Sequence, residues 1–202
     1  PFETMKLRML NGSHSLLAYV GLLAGHRTVC EAIADPALAR FIRRYLLDEA
    51  APTLAVSAGI DLPTYANQLL ARFANDSLQH PLRQIAMDGS QKLPQRWLHG
   101  AQHLLEQGRG IACTALGVAA WIRCCTQTLP GAAAPLANDP LHATYADLAA
   151  RWQGAALVDA FLDLRDVFAL ELAERPALRD AVQQAYAALA RDGLPQLLNA
   201  HA

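Results

Sequence analysis

Apolar residues recur along this chain at intervals of three and four over most of its length, the spacing of helices that bury one face. The pattern predicts helices at about 4–24, 36–49, 63–74, 94–107, 111–126, 140–151, 154–170 and 176–191. Alanine and leucine dominate, while β-branched residues are sparse and never alternate in runs, which favours helix almost throughout. Asp35-Pro36 and Asp139-Pro140 each set a capping acid before a proline at the first helical position, and Leu62-Pro63 opens a helix in a similar way. The Thr128–Asp139 stretch, with prolines and a glycine, reads as a long loop. Beyond it, residues 139–202 suggest a three-helix sub-lobe with Leu157, Phe161, Leu164 and Phe168 on one face. The expected fold is therefore all-α, one helical domain over residues 1–202. Gly21-x-x-x-Gly25 fits close helix packing. The longest apolar stretches, Leu16–Ala24 and Ile111–Ile122, fall short of the ~20 residues of a membrane span.

Three polar groups interrupt the first apolar segment: Lys6, Asn11 and His14 in Lys-Leu-Arg-Met-Leu-Asn-Gly-Ser-His. At about 100° per residue, Asn11 lies about 140° round a helix from Lys6, with His14 between them at about 80°. All three can then face one cavity. A lysine buried among leucines costs several kcal/mol unless paired, and desolvation favours the neutral amine that moves protons near neutral pH. An amide can hydrogen-bond a developing oxyanion, and an imidazole can orient a hydroxyl. Structural roles stand beside these: a snorkelling Lys6, a capping Asn11 and a core His14. A second polar cluster follows at Arg83, Asp88, Ser90 and Lys92, where Met-Asp-Gly-Ser breaks the helical pattern. There Asp88 could pair with Lys92 or Arg83.

The run Met-Lys-Leu-Arg-Met-Leu-Asn-Gly-Ser-His-Ser resembles the signature of the polyol-specific long-chain dehydrogenases/reductases, the mannitol dehydrogenase family. Residues 83–96, Arg-Gln-Ile-Ala-Met-Asp-Gly-Ser-Gln-Lys-Leu-Pro-Gln-Arg, are similar to that family's other substrate-side segment, and Asn67–Asn75 lies between as a comparable stretch does there. The resemblance implies a multi-helix substrate domain similar to the C-terminal domain of 6-phosphogluconate dehydrogenase. It also implies roles: Lys6 as general acid/base, Asn11 as one arm of an oxyanion hole, and His14 as substrate-aligning group. Arg83 and Lys92 would contact the polyol chain or a terminal carboxylate, and no metal would take part. The two blocks are closer to fructuronate reductases than to mannitol dehydrogenases, which more often carry Asn-Ala-Gly-His and a serine-rich second block. Reduction of D-fructuronate to D-mannonate is the implied reaction, with mannitol or another neutral polyol as the alternative.

Composition narrows the alternatives. The chain has 202 residues, 53% hydrophobic and 17% charged, with net charge −1, which gives no nucleic-acid surface. Cys30, Cys113, Cys124 and Cys125 lack Cys-x-x-Cys spacing and read as reduced thiols of a cytoplasmic protein. The seven histidines lack metal spacing as well. No Gly-x-Gly-x-x-Gly follows a strand, and Gly108-Arg-Gly110 reads as a helix–helix loop. The NAD or NADP implied by the resemblance would thus be held by an N-terminal Rossmann domain outside this sequence. The chain opens on Pro1-Phe2-Glu3 and reads as a fragment that is inactive alone. A reading of another class, a non-catalytic helical interaction or dimerisation module, fits the lack of a cofactor motif.

Overall fold

Two helices, buried on nearly every side, form the centre of the molecule in this computed structural model, which describes residues 2–55, 59–75, 77, 79–128 and 132–201. The first, α1, runs as Phe2–Met5, a π-helical stretch Lys6–Asn11, and Gly12–Leu23 without a break. The other central helix is Ala112–Thr126, which has twelve buried residues among its fifteen. The Gly12–Leu23 part of α1 and the Ala112–Thr126 helix lack a broad polar face because neighbours cover them nearly all round. They approach closely where Gly117 leaves room: a Cβ there would sit 2.6 Å from Leu16 Cδ1 and 3.2 Å from the Trp97 ring.

Around this pair the chain adds α2 (Val29–Ala34) and α3 (Pro36–Arg44), which continues through π-helical Tyr45–Ala50 and the short 3₁₀ turn Ala51–Thr53. It then forms α4 (Leu62–Phe73), α5 (Leu82–Ile85) and α6, made of Gly89–Leu93, π-helical Pro94–Leu98 and His99–Glu106. The central Ala112–Thr126 is α7, followed by α8 (His142–Arg151), α9 (Gly154–Leu162), α10 (Leu170–Ala173), α11 (Pro176–Arg191) and α12 (Leu194–Ala200). No strand occurs among the described residues. The all-α expectation holds.

Local chemistry explains most boundaries. Asp35 accepts from the Ala37 amide ahead of α3, and Asp61 from the Thr64 amide ahead of α4. Gly21 packs against Leu82 and Ala32, whereas Gly25 (φ 87°) closes α1 in the left-handed conformation that glycine tolerates. The helix expected over 154–170 ends at Leu162, because Arg165 Nη1 donates to the carbonyls of Leu162 and Phe168 and pins a turn between them. Within the loop expected at 128–139, residues 129–131 lie outside the described residues, and the remainder is irregular. Tyr145 of α8, Phe161 of α9 and Phe168 of the turn after α9 pack their rings on Trp121 of α7, and the apolar side chains of the C-terminal helices extend one continuous core. No helix among the described residues is long and apolar enough to cross a membrane.

Candidate active site

The π stretch Lys6–Asn11 governs where the first polar cluster lies. The Gly12 amide donates to the Leu7 carbonyl, five residues back, which widens the turn and changes the phase of every side chain after it. Angles counted at about 100° per residue therefore fail across this segment. Asn11 and His14 line a cleft of about 230 Å³ with Leu10, Val29, Arg72, Phe73, Asn75 and His80. Lys6 is exposed and is not among the lining residues. The buried amine expected at position 6 is not found, because Lys6 lies in the opening turns of α1, outside the packed core.

His14 stacks on the Phe73 ring at 5.3 Å between centroids and an interplanar angle of 3°, and its ring centre is 5.8 Å from that of His80. Burial, then the neighbouring ring of His80 and the cations Arg96, Arg72 and Lys92, push its pKa down to about 4. The imidazole is thus neutral at pH 7, able to accept at one ring nitrogen and donate at the other. The segment carrying His80 is tied to the link between α1 and α2 and to the start of α2 by the Val29 amide on the His80 carbonyl (3.0 Å) and the Leu82 amide on the Arg27 carbonyl (2.9 Å). This fixes one wall of the cleft.

The second polar cluster is built by a buried carboxylate that sequence reasoning treated only as a cap. Asp139 is 3% exposed and accepts the Ser90 amide (2.8 Å), the Ser90 hydroxyl (2.7 Å) and the Leu141 amide (3.0 Å). Asp88 beside it holds a left-handed backbone (φ 60°), stabilised by its amide on the Asn138 carbonyl at 3.0 Å. Such a conformation in a non-glycine residue is costly and persists where surrounding contacts enforce it. Gly89 must be glycine, since a Cβ would meet Trp121 Nε1 and Tyr19 Oη at 2.6 Å each. These constraints aim α6 so that Lys92 and Arg96 come near His14.

Lys92 is half-buried, its Nζ donates to the Ile85 carbonyl at 3.4 Å, and burial followed by Arg96 lowers its pKa. The desolvated lysine of this molecule is Lys92. Arg96 donates to Ser15 Oγ at 2.7 Å and to the Asn11 carbonyl at 3.5 Å. Arg83 is exposed and lines a different cavity, with Leu22, Gly25, His26, Arg27, Pro81 and Leu136. No ion pair joins Asp88 to Lys92 or Arg83 among the described residues. The fold thus gathers Asn11, His14 and Lys92, and leaves Lys6 and Arg83 at separate exposed places. Sequence reasoning missed Arg72 and Arg96 as neighbours of His14. Arg96 stands in the second block and could have been found from it, whereas Arg72 gave no signal beyond its place in Asn67–Asn75.

No unit that would cradle a dinucleotide is formed here, since that cradle needs a strand running into a glycine-rich turn and helix and the described residues contain no strand. What the cleft offers is an amide, a neutral imidazole and neighbouring cations: groups suited to hydroxyls and to an anionic end.

Comparison with known proteins shows the family of the chain. Residues 1–190 match the family model described as the mannitol dehydrogenase C-terminal domain. The D-mannonate oxidoreductase of Escherichia coli (strain K12) is 44% identical over 193 residues, 96% of this chain and 40% of that protein. The mannitol 2-dehydrogenase of Phaeosphaeria nodorum is 31% identical over 194 residues, 95% of this chain and 33% of that protein. Among solved structures, the Pseudomonas fluorescens mannitol 2-dehydrogenase in ternary complex with NAD and D-mannitol superposes with a TM-score of 0.91 at 30% identity. That match covers 99% of this chain and 40% of that one. The chain therefore spans well under half the length of these relatives.

Proposed function

We propose that this chain, which belongs to the mannitol dehydrogenase family as its C-terminal domain, is the substrate side of an NAD- or NADP-dependent oxidoreductase that interconverts a ketose-type sugar acid and its alcohol. The observation carrying this reading is the cleft at Asn11 and His14, which has Arg72 in its wall and Lys92 and Arg96 close behind. The chemistry of that set suits a substrate with many hydroxyls and one carboxylate, as D-fructuronate and D-mannonate have. Similarity to a D-mannonate oxidoreductase at 44% identity supports the same choice. A neutral polyol is the second reading, favoured by likeness to the structure that holds D-mannitol.

In this reading Lys6, exposed on the opening turns of the helix that carries Asn11 and His14, would exchange a proton with the substrate oxygen once the rest of the protein closes over that face. Asn11 donates a hydrogen bond to the same oxygen as negative charge grows there. His14, kept neutral, aligns a neighbouring hydroxyl, while Lys92 and the Arg72 of the cleft wall would hold the distal end; Arg83, in its separate cavity, takes no part. The nicotinamide, bound outside this chain, would supply or take up the hydride. Turnover of D-fructuronate, D-tagaturonate and D-fructose by the full-length parent, with either reduced cofactor, tests the proposal. Preference for D-fructuronate is expected; preference for D-fructose would move the assignment to the neutral polyols. No turnover of any of the three, with no nicotinamide binding, would replace the enzyme with a helical binding module.

A further inference from the structure

Three π-helical stretches, Lys6–Asn11, Tyr45–Ala50 and Pro94–Leu98, meet at one place, and side chains of the last two supply hydrogen bonds to the first. A π turn departs from the regular ladder of backbone bonds and commonly marks a functional position. Here its carbonyls, and that of Gly12 just after it, are met from outside: Tyr45 Oη donates to Arg8 O (2.9 Å), Arg96 Nη1 to Asn11 O (3.5 Å), and Trp97 Nε1 to Gly12 O (2.9 Å). Tyr45 is 3% exposed, and Oη also lies 3.4 Å from Arg96 O, so one phenol touches both neighbouring π stretches. Burial raises its pKa and keeps it a donor. The contact needs Gly12, because a Cβ there would stand 2.4 Å from Tyr45 Oη and 3.1 Å from Arg96 O.

We infer that Tyr45 is a positioning residue that holds the π turn at Arg8 and so sets the placement of Lys6 relative to Asn11 and His14. The inference rests on the proposed role of Lys6. A lapse of that turn to α-helical register would rotate Lys6 by about one residue against the cleft, while leaving Asn11 and His14 on their wall. The cost would then fall on the chemical step more than on binding.

The test compares Tyr45→Phe, Gly12→Ala, the double variant and Lys6→Ala in the full-length parent, with D-fructuronate and reduced cofactor. Expected are a fall in kcat of about tenfold or more for Tyr45→Phe, KM within about threefold, and a displaced pH profile of kcat. Gly12→Ala should give a similar loss, and the double variant should be no worse than the worse single one, since both break the same contact. Unchanged kcat and pH profile in Tyr45→Phe, or losses that multiply in the double variant, overturn the inference. If Phe at position 45 prevents folding, Gly12→Ala alone decides by the same split of kcat from KM. Collapse in Lys6→Ala with no effect of Tyr45→Phe overturns only the positioning role. Undiminished turnover in Lys6→Ala overturns the reading of Lys6, and the inference with it.

Discussion

At the scale of single residues, the cleft makes separate predictions for acid/base work, recognition and titration. Lys6→Ala in the full-length protein should lower turnover by about 10²–10⁴, the usual contribution of a positioned proton donor; steady-state kinetics would show a loss under tenfold if Lys6 had no such part. Arg72→Ala should raise KM for a sugar acid by about tenfold or more, the value of one charge-assisted hydrogen bond. The same variant should leave a neutral ketose nearly unaffected, and equal effects on both would refute a carboxylate contact. His14 titrates near 4 when folded and near 6.5 when unfolded. Its neutral form is the one the fold favours, so the associated stability is complete above pH 6.5 and is lost as pH falls towards 4. Urea midpoints of wild type and His14→Gln should therefore converge between pH 7.5 and pH 4.5, and parallel curves would exclude the titration. Asn11 and His14 were legible as residues of one cleft because both stand on the wall-forming side of α1. The exposure of Lys6 was not, because hydrophobic neighbours in sequence do not say what packs over the first turns of a helix.

At the scale of elements, the long helices were readable and their interruptions were not. Apolar spacing located α1, α3, α4, α7 and α11 well, since their burial is what the spacing records. The short α2, α5, α10 and α12 span between four and seven residues each, too few to show a period. The π stretch Lys6–Asn11 leaves composition unchanged and is met by side-chain donors that arrive from distant helices, so no local pattern announces it. A buried acid, Glu49, shows how such distant support works. It is 5% exposed and accepts the Cys113 amide (2.6 Å), the Thr114 amide (2.8 Å) and the Thr114 hydroxyl (2.7 Å) at the start of α7. A carboxylate is favoured at a helix N-terminus, while burial raises its pKa. Glu49→Ala strands these donors and should cost about 2–4 kcal/mol, read as a lower midpoint in urea. Glu49→Gln, which retains an acceptor, should cost less. Equal midpoints for Glu49→Ala and wild type would dismiss Glu49 as the cap of α7.

For the whole molecule, the continuous core that joins α1 and α7 to the C-terminal helices bears on the sub-lobe suggested over residues 139–202. Trp121 touches Tyr145, Phe161 and Phe168 from that segment, and Trp97 donates to Gly12 in α1. Loosening either end should disturb both tryptophans. The isolated chain should therefore unfold in one step, with tryptophan fluorescence and far-ultraviolet circular dichroism coincident along a urea titration. Two separated transitions would mark residues 139–202 as an independent unit. The approach of Gly12 to Tyr45 has a historical consequence too. Where the two residues meet as they do here, a lineage that acquires a side chain at position 12 must move the phenol oxygen off its place, because the new carbon would stand 2.4 Å from it. The two positions are therefore bound to change together. Descendants that carry alanine at position 12 should lack tyrosine at position 45 or hold it elsewhere.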